Sequence, residues 1–229
     1  TTEIYTLSLH DALPILNLIE LRIQSSFLPE KESPLIVMSS SVDDLTGDKL
    51  TAFAPNTSGI PYFKGTDSMS MEIIKQLYDI GNLFDNVKDI EIVGATFRNF
   101  AITELGYREM NNLSEKNVLE DIYQTSLCIV TRGADGYGDF NQLQQGIQRL
   151  SSFIFSESYN IEKAITHASK AAYLVALIKH GRKTIEKYSN PLQLNSWLIT
   201  DPMNTKLNRL KKSNPEAFFY WYKIFELEK

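Results

Sequence analysis

The hydrophobic pattern of this chain changes period once. Residues 16–24 (LNLIELRIQ) alternate, with Ile19, Leu21 and Ile23 on one face and Glu20, Arg22 and Gln24 on the other. That is the period of two expected of a strand. Residues 35–38 read as a second short strand, and residues 29–34 between them, bounded by Pro29 and Pro34, as a loop. After Met38 the period becomes helical. Ser41, with Asp44 three residues on, is a variant of the N-terminal capping signal and opens a helix that ends at Pro55. Residues 55–61 form a turn-rich loop. A helix over 69–84 buries Ile73, Leu77, Ile80 and Phe84, spaced four, three and four apart, and Asp89 starts another that carries Ile92, Phe97 and Phe100. Further helices are predicted at 115–131, 139–155, 160–180 and 216–227. The glycines of residues 132–138 follow a helix, whereas a phosphate cradle needs a strand before it, so this segment reads as a helix connection.

The predicted fold class is α+β, with two strands of a mixed sheet followed by a mainly helical region of six or more helices. The boundary is placed near 60–68, dividing the chain into 16–65 and 66–229. Residues 1–15 (TTEIYTLSLHDALPI) stand apart. They match, codon for codon, one reading frame of a common short-read sequencing adapter whose last base begins the codon for Leu16. They are read as a non-native segment and given no structural role, so the native sequence is expected to begin inside a gene.

The remaining residues, about 214, are enough for one sizeable core or two small ones. No apolar run approaches the ~20 residues of a membrane span, so a soluble chain is expected. The single cysteine, Cys128, lies in an apolar helical stretch and reads as a small buried hydrophobe, and one cysteine allows no internal disulfide, which suits a cytoplasm. Charge is uneven: residues 16–162 hold 11 Lys and Arg against 21 Asp and Glu, residues 163–229 hold 12 against 5. The basic clusters, Lys179, Arg182, Lys183 and Lys187, then Lys206, Arg209, Lys211 and Lys212, are either a track for a phosphate backbone or solvated helix faces. His167 and His180, thirteen residues apart, read as surface or core-edge side chains.

Four residues, at three places along the chain, have side chains suited to phosphoryl chemistry. Lys49 falls four residues after Leu45 and three or four before Ala52 and Phe53, inside an apolar stripe, where a lysine must snorkel or meet an anion. Lys75 and Asp79 share one helical face, the spacing of an exposed ion pair. Glu20 lies on the polar side of its strand.

Two blocks holding these residues, LTGDKLTAFAP at 45–55 and EIIKQLYDIGNLFD at 72–85, together resemble the downstream half of the AbiEii/AbiGii toxin family. These are nucleotidyltransferases of the DNA polymerase β superfamily, in which a D/E-K-L-x-A helix precedes a (K/R)-x-L-(Y/F)-D helix. Residues 118–129, 153–157 and 214–222 also look like one bacterial branch of that family and read as core-like helical stretches. The resemblance implies that Lys49 approaches the nucleotide phosphates and that Lys75 and Asp79 face the active cleft, with Asp79 orienting the lysine or a reacting group. It also implies that Glu20 is a third, metal-binding carboxylate. Such an enzyme transfers nucleotides from an NTP with Mg²⁺ to an RNA acceptor such as tRNA. It is the toxin of a type IV toxin–antitoxin or abortive-infection pair, neutralised through an antitoxin encoded beside it. The leading carboxylates belong in a G-S-x(~10)-D-x-D/E motif before Glu20, which this sequence lacks. Asp43 and Asp44 are adjacent and diverge, so they do not replace it, and the chain is expected to be inert alone. The alternative is a non-catalytic helical interaction module.

Overall fold

The structure is a computed structural model and describes residues 16–23, 35–190 and 192–229. The adapter-like residues 1–15, the end of the first predicted strand at Gln24 and the proline-bounded loop at 29–34 lie outside the described residues. Two strands, β1 (Leu18–Ile23) and β2 (Leu35–Ser40), pair antiparallel with Glu20 opposite Met38 and Leu21 opposite Val37. Then come α1 (Val42–Ala52), a two-residue ladder of β3 (Phe63–Lys64) and β4 (Asp67–Ser68), α2 (Ser70–Phe84), α3 (Ile90–Tyr107), α4 (Glu115–Val130), α5 (Phe140–Ser151) and α6 (Ile161–Lys179). Two 3₁₀ turns, a short α7 (Leu210–Ser213) and α8 (Pro215–Glu228) complete the chain. The class is mixed α+β and mostly helical. No described helix is long and apolar enough to cross a membrane.

Local chemistry sets the helix starts. The Ser41 hydroxyl accepts from the Asp44 amide, Asp89 from the amides of Glu91 and Ile92, Asp139 from that of Gln142, and Asn160 from those of Glu162 and Lys163. Each side chain thereby satisfies amides that the first helical turn leaves without a partner. The helix predicted at 139–155 stops at Ser151, so the stretch at 153–157 is not helical, and of it Ile154 packs against the core while both phenylalanines do not. Phe153 and Phe155 lie 65% and 96% exposed. In α3 the buried stripe is Ile90, Val93, Phe97, Ala101 and Leu105 instead of one through Ile92 and Phe100.

The core is organised around α6, which is buried on nearly all sides. Ala164, Ala168, Ala171, Ala172 and Ala176 let α2, α4 and α8 approach closely. The same apolar cluster includes Leu50, Phe53 and Ala54, so the core runs unbroken across residue 65. His167 is 5% exposed, which corrects its expected place at the surface or core edge. Gly81 of α2 leaves the notch that the imidazole fills, since a Cβ there would stand 2.1 Å from His167 Cγ. Tyr78 and Tyr159 close it in, with ring centroids 5.9 and 5.6 Å away. His180, by contrast, is half-buried and meets Glu228 at 3.2 Å.

A second close approach joins α1 to α3. A Cβ on Gly47 would lie 2.6 Å from the Val93 carbonyl oxygen and 2.9 Å from the Phe97 nitrogen. One turn earlier, the fully buried Asp44 carboxylate accepts from Thr96 Oγ1 at 2.7 Å, from the Asn17 backbone amide at 2.9 Å and from the Ser41 hydroxyl. Burial pushes this carboxyl up, but the hydrogen bonds from Ser41, Thr96 and Asn17 outweigh it and hold it below the usual aspartate range. One turn later, Thr51 Oγ1 donates to the Phe97 carbonyl at 3.4 Å. At the exit of α1, Asp121 of α4 accepts from the Asn56 amide at 2.8 Å and from the Thr57 hydroxyl at 2.8 Å, which fixes the turn-rich loop.

Gly47→Ala should therefore destabilise the fold by about 3 kcal/mol, because backbone stands where the methyl must go and α1 has to shift. Equilibrium urea unfolding measures this. His167 supplies a pH test. Burial, then neighbouring Lys170, lowers its pKa to about 4, whereas an unfolded histidine titrates near ~6.5. The unfolded chain thus binds the extra proton, and stability complete above ~6.5 falls as pH drops toward 4, by at most roughly 3 kcal/mol. Over that window His167→Gln should show a shallower fall in unfolding free energy than the parent protein.

Candidate functional site

The last turn of α1, the middle of α2 and the C-terminal end of α3 bring six charged side chains into one chain of neighbours. Lys49 stands at its centre. Its Nζ lies 3.9 Å from Asp48 Oδ2 and 3.9 Å from Asp79 Oδ2, with the three side chains 28%, 39% and 31% exposed. Both separations exceed hydrogen-bond length, so the ammonium is held by charge between two helices and makes no hydrogen bond among the described residues. Asp79 turns to Lys49 across the helix boundary; Lys75, exposed, contributes its field to Asp79 but forms no ion pair with it within 4 Å. The exposed i,i+4 pair expected between Lys75 and Asp79 is accordingly replaced by a pair between helices.

Lys49 also sits differently on its own helix. The buried face of α1 is Asp44, Thr46, Gly47, Leu50 and Thr51, while Leu45, Lys49 and Ala52 form a half-buried flank. Gly47 explains the shift: the contact face follows the residue that lets α3 come closest, and hydrophobicity is secondary there. The flank position lets the lysine reach α2 without burying its charge.

On the far side of Asp48 stand two residues that periodicity did not single out, Glu104 and Arg108 of α3. Arg108 Nε is 3.7 Å from Glu104 Oε2. Burial raises the Glu104 carboxyl pKa, Arg108 lowers it and the neighbouring Asp48 raises it again. Burial likewise raises the carboxyls of Asp48, against Lys49, and of Asp79, against Lys49 and Lys75. Three carboxyls shifted in the same sense in one neighbourhood make this a candidate site, a pattern that structural ion-pair networks share. The i,i+4 spacing of Glu104 and Arg108 was visible in sequence, but not that the end of α3 lies beside Asp48.

No hydrogen bond or ion pair joins Glu20 to Lys49, Lys75 or Asp79. It is exposed on β1, and the hairpin meets α1 at the opposite end, where the Ser41 amide donates to the Asn17 carbonyl at 3.0 Å. Among the described residues no three His, Cys, Asp or Glu side chains stand close enough to hold a metal ion. Lys49 separates Asp48 from Asp79, so these residues do not by themselves make a Mg²⁺ site. Cys128 is buried, its thiol is pushed up to about 11 by burial and then Asp139, and it is chemically quiet.

The basic clusters of the last third are largely committed. Lys179 pairs with Glu228, Lys183 with Glu91 and Lys206 with Asp135, each at 3.0 Å. Lys187 donates to the carbonyls of Asp85 and Val87, and Lys211 lies over the Phe218 ring. A cavity of about 690 Å³ between α3, α4 and α6, floored by Leu119, Tyr123, Val175 and Met203, contains none of the Lys49 cluster. No family model, no curated protein and no solved structure matches this chain.

A folded carboxyl whose pKa is raised favours its protonated form. Its stabilising contribution is present at low pH and lost as pH rises through the raised value. Asp48→Asn should therefore increase the urea midpoint slightly at pH 7 and leave it unchanged near pH 3.5. A lower midpoint at pH 7 would show that the pair with Lys49 outweighs the burial of the carboxylate.

Proposed function

We propose that this chain is the downstream part of a nucleotidyltransferase in which Lys49 meets the phosphates of a nucleoside triphosphate. The observation that carries the reading is the Lys49 ammonium held 3.9 Å from both Asp48 and Asp79 with no hydrogen bond spent on either. A charge-stabilised, donor-rich cation on a half-buried flank suits a reaction that builds charge on phosphoryl oxygens. The two blocks that resemble the AbiEii/AbiGii toxins contain these same side chains. Asp79 orients Lys49, Lys75 adds a second cation at the rim, and β1 and β2 are the remnant of the enzyme's mixed sheet. The Mg²⁺ ions belong to the two carboxylates of the G-S-x(~10)-D-x-D/E motif that this sequence lacks, with Glu20 as an accessory ligand, so transfer requires that half of the enzyme. The acceptor is an RNA, with the tRNA end as the leading example. The biological setting is a bacterial toxin controlled by an antitoxin from the adjacent gene, acting in the cytoplasm.

One observation favours the second reading, a helical interaction module. The hairpin exposes Leu18, Ile19, Leu21, Ile23, Leu35, Ile36 and Met38 by 38–60%, more apolar surface than a solvated two-stranded ribbon normally leaves open.

Titration of ATP into the chain, followed by calorimetry, separates the two. Lys49→Ala should weaken binding at least tenfold with the melting temperature nearly unchanged, and should abolish labelled-NTP transfer in a protein that also carries the upstream motif. Retained transfer, or absence of ATP binding by the parent chain, would favour the interaction module.

A further inference from the structure

Arg108 is poorly served by its own protein. Its Nε is buried without a hydrogen bond, and its ion-pair neighbour among the described residues, Glu104, stays at 3.7 Å, beyond hydrogen-bond length. A guanidinium presents five donors in a planar fork that matches the oxygens of a phosphate, and leaving the buried Nε donor unfilled is costly. Glu104 is a weak substitute, since it faces the Asp48 carboxylate as well as Arg108. The run Arg108, Glu104, Asp48, Lys49 and Asp79 thus has a cation at one end, a second between Asp48 and Asp79, and two adjacent carboxylates between the cations. Lys75 stands at the far rim.

We propose that Arg108 is a third phosphate-binding cation of the Lys49 site, and that Glu104 is the competing anion that holds its guanidinium in place until a nucleoside triphosphate arrives. The inference rests on the nucleotide reading of Lys49 and extends it to α3. Lys49 and Arg108 flank the Asp48 and Glu104 carboxylates, so a polyphosphate bound to both cations spans from α1 to α3. Glu104 is a positioning residue in this arrangement, since it acts through Arg108, and removing its charge frees the guanidinium for the ligand.

The test is calorimetric titration of the chain with inorganic tripolyphosphate and with ATP, each for the parent, Arg108→Gln, Arg108→Lys, Glu104→Gln and Lys49→Gln. Arg108→Gln should weaken both ligands about tenfold, the size expected for one charged hydrogen-bonding group. Arg108→Lys, a point charge without the fork, should recover part of that loss. Glu104→Gln should tighten both ligands severalfold, a change of sign that simple structural damage does not produce. If Arg108→Gln binds like the parent while Lys49→Gln loses affinity, the role of Arg108 is overturned and the nucleotide reading stands. If the parent binds neither ligand, both fall. Should Arg108→Gln not fold, Glu104→Gln decides: tighter binding supports the role, and unchanged or weaker binding overturns it.

Discussion

The crossing of α1 over α3 at Gly47 is the constraint on which the rest of the site depends. Three residues of α1 in successive turns, Asp44, Gly47 and Thr51, face α3 and meet Thr96, the Val93–Phe97 backbone and the Phe97 carbonyl. None of the three is a large apolar side chain. The contact is held by close backbone approach, a buried carboxylate with its donors filled and a back-bonded hydroxyl. That geometry turns the opposite flank, with Asp48 and Lys49, toward α2 and the end of α3. A methyl group in the crossing would move the lysine together with the helix.

The other half of the framework is conventional in its energetics and unusual in its contents. Around α6 the core contains a lysine and a histidine. Lys170 is 5% exposed; its Nζ lies 3.0 Å from both Asp85 oxygens and 3.2 Å from Glu216, above the Phe84 ring at 5.4 Å. A buried cation is tolerable because its hydrogen bonds are made and its counter-charges come from two different elements. His167, one turn earlier, has no partner for Nδ1 among the described residues, and its lowered pKa keeps it neutral at pH 7. The pair fixes how α2 and the start of α8 meet the central helix.

Sequence periodicity revealed most of this framework. Ser41 and Asp89 marked helix starts, and the stripe Ile73, Leu77, Ile80 and Phe84 marked the buried face of α2, because capping and apolar spacing are local signals. Three things escaped for physical reasons. The face of α3 was read only in part: Phe97 is fully buried, whereas Ile92 and Phe100 are half-buried beside the stripe through Ile90, Val93 and Ala101. The helix predicted to 155 ends four residues earlier, and Phe153 and Phe155 beyond it are exposed. The pairing of Asp79 with Lys49 instead of Lys75, and the approach of Glu104 and Arg108 to Asp48, depend on where helices cross. Spacing along one helix contains no such information. Lys49, Lys75 and Asp79 could be chosen from sequence, but their mutual arrangement could not.

The hairpin of β1 and β2 is fastened to the helices lightly. The hydrogen bonds that tie it to α1, among the described residues, all pass through Asn17: its carbonyl receives the Ser41 amide, and its own amide and side chain reach Asp44. Such a ribbon opens with its own small free energy, independently of the helical core. Asp44, however, belongs to both, since it also accepts from Thr96 beneath α1. A displacement of Asn17 is therefore felt at the anchor of the helix that bears Lys49. One shared carboxylate joins the ribbon to the charged site, and any coupling through it acts equally in both directions.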